Sequence, residues 1–237
     1  MSEESLRKSL QIYKGLVEVS GLINSITDYG ELLRAILDVA RRVIRAEAAS
    51  LFLVDPETGD LELAIATRGE TGYVEPKLSV PKGKGIVGWV FEHDEPLLIP
   101  DAYQDERFFK EADLKTGFVT RSIICAPLKS ESQLLGVLQV LNPREKPAFE
   151  AEDFEGFCAY ANLTATAIEK LRTLEKIRAQ ERVERDLAIA AEIQSQLLSR
   201  AIPKDIQGAT FSAHNMPAAN VGGDFYGVFA RSPDEIC

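Results

Sequence analysis

Hydrophobic residues recur at every third or fourth position over residues 5–44 and again over 152–198, and this spacing predicts α-helices. Asp28 interrupts the first stretch. Aspartate is a preferred cap of helix N-termini, so we expect one helix within 1–27 and a second after it. Between the helical stretches the period changes to two, and strands are predicted over 50–55, 61–67, 77–80, 121–128 and 134–142. Hairpins between clustered helices indicate an α+β fold with an antiparallel sheet.

Three glycines, Gly83, Gly85 and Gly88, stand where the pattern turns from strand to helix. Glycines at the start of a helix occur in phosphate-binding loops, but this spacing matches neither the dinucleotide-binding fingerprint nor the P-loop. We interpret the segment as a tight turn into a short helix that ends near Asp94, and phosphate binding stays as the alternative.

The acidity of the chain narrows its possible functions. Its 27 basic and 37 acidic side chains give a formal net charge of −10, which repels phosphate backbones and argues against nucleic acid as the main partner. No apolar run reaches the roughly 18 residues of a membrane helix, and the N-terminus lacks a signal-peptide core, so we expect a cytoplasmic protein. The scattered cysteines and histidines argue against a zinc site, a disulfide framework or a histidine-based triad.

The helical pattern over 171–200 is strongly charged and carries only a thin apolar stripe. Its apolar positions over 172–187 are Leu174, Ile177, Val183 and Leu187, and their spacing drifts from a regular heptad. One interpretation is a solvated helix that lies against its own domain. We favour a parallel coiled coil between two copies of the chain, because the stripe continues past the edge of any plausible domain.

Four segments in order, 49–55, 83–108, 116–128 and 134–142, resemble the first strand, the pocket-covering helix with its loop, and the central strands of a GAF domain. GAF domains are small-molecule sensor modules. The resemblance covers residues 28–170 and implies a six-stranded antiparallel sheet with helices on both faces.

The resemblance also implies a ligand pocket. The residues expected to line it are Ser50, Ile86, Thr116, Thr120 and Gln139. Some GAF domains bind cyclic nucleotides and carry an Asn-Lys…Phe-x-x-x-Asp-Glu motif, which mainly supports the fold through a basic–acidic pair. That motif is matched in type and order by Asn142, Arg144, Phe149 and Asp153. Ordinary core packing for Ile86, and turn or capping roles for Thr116 and Thr120, are the alternatives.

The C-terminal part of the chain resembles a second family. Residues 184–203, ERDLAIAAEIQSQLLSRAIP, and 221–229, VGGDFYGVF, resemble the start of a SpoIIE-type PPM phosphatase domain. The resemblance implies a pair of Mn²⁺ or Mg²⁺ ions that activate water for the dephosphorylation of a phosphoprotein substrate. Asp224 would be a metal ligand, and Gly223 would let the backbone approach the ions.

These resemblances predict four parts: an N-terminal helix over 1–27, a GAF domain over 28–170, a helical linker over 171–200, and an incomplete phosphatase β-hairpin over 201–237. Because one carboxylate cannot hold two divalent ions, we expect this chain alone to be inactive as a phosphatase. The leading hypothesis is the signal-sensing regulatory part of such a phosphatase in a bacterial stress or partner-switching pathway. The alternatives are a stand-alone GAF module that binds a small molecule and dimerises, and a dimerising element that senses nothing.

Overall fold

The computed structural model describes residues 14–15, 17–18, 21, 25–68, 72–74, 78–110, 113, 117–131, 133–200, 221–222, 227, 230–232 and 235–236. The chain divides into two compact units, Met1–Arg172 and Thr173–Cys237. The predicted boundaries of the four parts stay predictions.

The first unit is built on one antiparallel sheet. Its strands are β1 (Ala46–Val54), β2 (Leu61–Arg68), β3 (Gly72–Val74), β4 (Ser79–Val80), β5 (Leu97–Ile99), β6 (Ile123–Lys129) and β7 (Leu134–Pro143). They lie in the order β3-β2-β1-β7-β6-β5, and β4 pairs with β2 off this path, so the described residues give seven strands where six were expected. The α+β fold with an antiparallel sheet is confirmed.

Three α-helices accompany the sheet: α1 (Tyr29–Ile44), α2 (Gly85–His93) and α3 (Ala151–Arg200). Asp28 caps α1 as predicted, because its carboxylate accepts the Glu31 N–H at 2.8 Å. At the start of α3, Asp153 reaches back and accepts the Glu150 N–H at 2.8 Å. Among the described helices, none is both long enough and apolar enough to cross a membrane.

The sheet separates two apolar clusters because side chains alternate between its faces along each strand. One face packs against α1 and the first half of α3. Its fully buried side chains include Ile36, Leu37, Leu51, Phe157 and Tyr160. The Tyr160 hydroxyl donates to the Ile36 carbonyl at 2.7 Å and so ties α3 to α1.

The opposite face is covered by α2 and by the chain that follows it; we call it the α2-covered face. Its buried members are Phe52, Leu61, Ile86, Val87, Val90, Ile99, Ala102, Ile123, Cys125 and Val137. Each large aliphatic side chain buried in this way stabilises the fold by about 1.5–3 kcal/mol.

Beyond Leu171 the buried face of α3 ends and its apolar side chains are exposed. Leu174 is 39% exposed, Ile177 44%, Val183 58% and Leu187 38%.

Short strands β8 (Ala230–Ser232) and β9 (Glu235–Ile236) pair antiparallel in the second unit. Most of the predicted phosphatase β-hairpin over 201–237 lies outside the described residues.

Candidate ligand-binding site

A row of side chains crosses the middle of the α2-covered face. Ser50 on β1 is paired with Gln139 on β7, Gln139 with Cys125 on β6, and Cys125 with Leu97 on β5. Directly paired residues of antiparallel strands project on the same side of the sheet. The row therefore places a hydroxyl and an amide side by side within an apolar surface.

Ser50 and Gln139 both keep free hydrogen-bonding capacity. Within the described part of the chain no hydrogen bond reaches either side chain. Ser50 is 9% exposed, and Gln139 is half-buried. A partly buried polar pair within an apolar surface favours a ligand that completes its hydrogen bonds.

Helix α2 lies over this face through Ile86, Val87 and Val90, which are 6%, 8% and 0% exposed. Its close approach depends on glycine. A Cβ at Gly88 would lie 2.6 Å from the Pro81 carbonyl oxygen, so only glycine fits there. The predicted tight turn into a short helix agrees with these contacts.

The loop between β5 and β6 is held by one buried carboxylate. Asp113, which is 8% exposed, accepts hydrogen bonds from the Thr120 N–H at 2.6 Å and the Thr120 hydroxyl at 2.7 Å. It also accepts the Tyr103 hydroxyl at 3.2 Å. These bonds join both ends of the loop next to the covered face. We name Asp113, Thr120 and Tyr103 the loop latch.

Basic side chains stack on aromatic rings beside α2. The Arg107 guanidinium lies 4.7 Å from the Trp89 ring centroid and also binds Asp105, with Nη2 2.7 Å from Oδ2. The Lys84 ammonium, at the start of α2, lies 5.4 Å from the Phe109 ring. Because Lys84 is the N-cap residue of α2, it lies at the positive end of the helix dipole.

Another concavity lies on the same unit, away from α2. A cleft of about 360 Å³ is lined by Tyr29, Leu33, Leu53, Val54, Asp55, Pro56, Glu62, Ala64 and Arg172. The Arg172 Nε donates to the Tyr29 hydroxyl at 2.9 Å. Binding in this cleft is the alternative that an experiment on the α2-covered face has to distinguish.

The structure brings together three of the residues predicted to line the pocket. Ser50 and Gln139 are directly paired, and Ile86 belongs to the apolar cluster on their face. Thr120 is engaged by Asp113. Thr116 lies outside the described residues.

The predicted metal ligands cannot be placed in this structure. Gly223 and Asp224 both lie outside the described residues. Among the residues that are described, no group of three or more histidine, cysteine, aspartate or glutamate side chains is arranged to hold a metal ion.

A sequence model of the GAF domain matches residues 28–168. The chain belongs to the GAF domain family.

Curated relatives of this GAF chain include two phosphodiesterases. A probable 3′,5′-cyclic phosphodiesterase, pde-5, of Caenorhabditis elegans is 28% identical over 199 residues, which cover 80% of this chain and 27% of that protein. The dual 3′,5′-cyclic-AMP and -GMP phosphodiesterase 11A of Takifugu rubripes is 37% identical over 144 residues, or 56% of this chain and 16% of that protein. The chain thus spans about a quarter or less of either relative.

Solved structures share the fold. The GAF domain of a phosphoenolpyruvate-protein phosphotransferase from Coxiella burnetii aligns with a TM-score of 0.60 at 22% identity, covering 70% of this chain and 98% of that domain. Free methionine-R-sulfoxide reductase from Neisseria meningitidis aligns with a TM-score of 0.57 at 18% identity, covering 73% and 95%. At these identities the likeness shows the fold alone.

The family motif near the start of α3 is present with a shifted basic residue. Lys146, and not Arg144, forms the ion pair with Asp153. The Arg144 Nε instead donates to the Ala46 carbonyl at 3.1 Å. Phe149 is buried, and its N–H donates to the Ser122 hydroxyl at 3.1 Å. The basic–acidic pair of the motif is formed by Lys146 and Asp153, so the match of Arg144 to its basic position is wrong.

Asp113 and Tyr103 were not predicted from the sequence. Their loop, between β5 and β6, combines acidic, basic and aromatic residues without a period of its own. The contact that matters joins Asp113 to residues on either side of it, and only the folded loop reveals that pairing.

We predict that Cys125 of the GAF domain resists alkylation in the folded protein. Burial raises the pKa of the Cys125 thiol far above its ordinary value, and burial with the nearby Glu155 raises the pKa of Cys158 to about 11. Iodoacetamide at neutral pH, followed by peptide mass spectrometry, should leave Cys125 unmodified until urea unfolds the chain. Stoichiometric modification of Cys125 under native conditions would contradict its burial.

Proposed function

We propose that the GAF domain is a regulatory module that binds a small heterocyclic ligand on its α2-covered face. The observation that carries the proposal is the Ser50–Gln139 pair, which lies in an apolar surface without hydrogen-bond partners among the described residues. Apolar sites with a few convergent polar groups are the usual form of small-molecule sites.

The chemistry of this face selects the buried part of the ligand. The Gln139 amide offers donors and an acceptor, and the Ser50 hydroxyl can do either. No charged residue belongs to the described cluster on this face, so an ionised group would be buried there without a counter-charge. The buried part is therefore a neutral, planar ring with adjacent donor and acceptor atoms.

Cyclic nucleotides are the class that we propose to test first. Their bases are neutral rings of this kind, and two relatives are named as cyclic-nucleotide phosphodiesterases. The cyclic phosphate would lie toward the α2 N-terminus, where Lys84 and the helix dipole favour an anion. Because apolar side chains fill the space under α2, the ligand shifts α2 outward and is then covered by it, and this displacement is the regulatory signal.

The proposal predicts that cyclic AMP or cyclic GMP stabilises the full chain. At about a hundred times its dissociation constant, a ligand stabilises the fold by about 2.7 kcal/mol, which raises the midpoint of thermal unfolding by roughly 5–10 °C. The measurement is a thermal unfolding series with each nucleotide.

Matched glutamine variants locate the effect. Gln139→Leu removes the amide from the α2-covered face and should abolish the stabilisation. Gln133→Leu makes the same change at an exposed turn and should retain it. If neither nucleotide shifts the wild-type midpoint, cyclic nucleotides are not the ligands, and equal shifts in both variants would place binding elsewhere.

We also propose that two copies of the chain pair through the linker. The apolar side chains of α3 beyond Leu171 are exposed along the helix, including Leu187 and Leu197 at 38% and 65%. A helix with such a stripe gains stability by burying it against a second helix. A pair of linker helices would transmit a displacement of α2 to the residues that follow the linker.

A second proposal concerns the C-terminal segment. We propose that residues 201–237 begin a metal-dependent protein serine/threonine phosphatase, controlled by the GAF domain, with Asp224 as a Mn²⁺ or Mg²⁺ ligand. It is favoured by the contact between Gln194 of the QSQLL segment and Gly222 of the VGGD segment, the two stretches that carry the resemblance. Further carboxylates from a longer polypeptide would be needed to complete the site.

The test is Mn²⁺-dependent hydrolysis of p-nitrophenyl phosphate by the gene product purified from its host. Activity that disappears in an Asp224→Asn variant supports the proposal. A host-purified protein that lacks Mn²⁺-dependent hydrolysis contradicts it and leaves the ligand-binding proposal intact.

A further inference from the structure

The Gln194 side chain is bound at both ends of its amide by one backbone position. Its Oε1 accepts the Gly222 N–H at 3.0 Å, and its Nε2 donates to the Gly222 carbonyl at 2.5 Å. The backbone of a neighbouring β-strand would make the same two hydrogen bonds with Gly222. Here a side chain of α3 makes them. It holds the segment at Val221 and Gly222, which we call the strap, against the helix.

Gln194 also belongs to a regular stripe on α3. The stripe is formed by Val183, Leu187, Ala190, Gln194 and Leu197. Its spacings are four, three, four and three residues, which is the heptad spacing of helices that pair with a like helix. We call these five residues the linker stripe. The irregularity seen from Leu174 onward ends at Val183.

Among the described residues, the strap is bonded to the linker stripe at Gln194. Ala190 and Gln194 are half-buried, whereas Val183 is 58% exposed and Leu197 65% exposed. A second α3 would cover all five positions, because its own stripe has the same length and spacing.

Strap and partner helix cannot occupy this face together. Paired helices lie about 8–10 Å apart, so the side chains of a partner must fill the space directly above Gln194. In this structure the Gly222 backbone lies within hydrogen-bond distance of the Gln194 amide and takes that space.

We propose that the Val221–Gly222 strap and a second copy of the chain compete for the linker stripe, so that release of the strap drives dimerisation. This inference rests on the proposed pairing of two chains through the linker. It makes Gln194 a switch residue, bonded to the strap in the monomer and buried between helices in the dimer. A polar residue at one core position of a coiled coil also limits its affinity, as a reversible contact requires.

The test is sedimentation velocity of the full chain over a concentration series. Gly222→Pro removes the N–H that binds Gln194 and leaves the stripe unchanged. Gln194→Leu removes the strap contact and completes the apolar stripe. Both variants should lower the dimer dissociation constant, by several-fold for the one hydrogen bond that Gly222→Pro removes and by about tenfold or more for the two that Gln194→Leu removes.

Gln196→Leu is the matched control, because it makes the same change two residues away on the opposite side of the helix, and its dissociation constant should equal that of wild type. If Gly222→Pro dimerises with wild-type affinity, the competition is contradicted, even if Gln194→Leu dimerises more tightly. If no protein in the series dimerises, the proposed pairing itself is wrong, and the inference fails with it.

Discussion

Replacing Asn142 with alanine is expected to lower the free energy of unfolding by about 3–5 kcal/mol, because it leaves several buried polar groups without partners. The Asn142 side chain is fully buried. Its Oδ1 accepts the Arg121 N–H at 2.6 Å, and its Nδ2 donates to the Val119 carbonyl at 2.8 Å and to Glu47 Oε2 at 2.9 Å. Its φ of 54° is also a conformation that asparagine tolerates better than alanine.

Chemical denaturation of the two variants Asn142→Ala and Asn162→Ala measures this effect. Asn162 is exposed on α3, where alanine is the better helix former, so its replacement should change stability by less than about 0.5 kcal/mol. Equal denaturation midpoints for the two variants would show that the Asn142 network contributes nothing. The result also bears on the site, since Val119 and Arg121 flank Thr120 of the loop latch.

The same network couples the stability of the domain to pH. Burial alone would raise the pKa of Glu47, but hydrogen bonds from Asn142 and Arg121 lower it below its ordinary value. A carboxylate with a lowered pKa stabilises the fold above its ordinary pKa, and the stabilisation is lost as the pH falls through the lowered value. The stability difference between wild type and Asn142→Ala should therefore narrow in acid.

Leu187→Asp is expected to abolish dimerisation of the chain. A buried, unpaired carboxylate costs several kcal/mol, which corresponds to a loss of affinity of about 100-fold or more. The wild type should sediment as a concentration-dependent mixture of monomer and dimer at micromolar concentrations, and the variant as a monomer throughout that range.

Ile189→Asp provides the matched control for this prediction. Ile189 is 51% exposed on the same helix, and two residues along an α-helix place it on the side opposite Leu187. Dimerisation should survive this change. Loss of the dimer in both variants would indicate a general effect of charge. A wild type that stays monomeric would contradict pairing of two chains through the linker.

Periodicity was sufficient to predict the long elements of this fold. The three-and-four spacing in α1 and α3, and the alternation in β1, β2, β6 and β7, follow from which side chains the sheet buries on each face. The Asp28 cap was predictable because its partner lies three residues away. Elements of this kind are specified by residues that lie only a few positions apart in the sequence.

The shorter and more distant features required the folded chain. Strands β3 and β5 have three residues each, too few to show a period. The pairing of Asp153 with Lys146 and the latch formed by Asp113 depend on how loops close.

For the site, the family resemblance identified Ser50 and Gln139 as two separate pocket residues. Only the register of β1 and β7 shows that they lie side by side.

Ligand binding at the α2-covered face is tested by hydrogen exchange of the full chain, with and without saturating cyclic GMP or cyclic AMP. We expect slower amide exchange in α2 and in residues 102–110 with at least one nucleotide, and no such change in Gln139→Leu. Unchanged exchange throughout the wild-type chain, or protection confined to the cleft around Tyr29 and Arg172, would contradict binding at the α2-covered face.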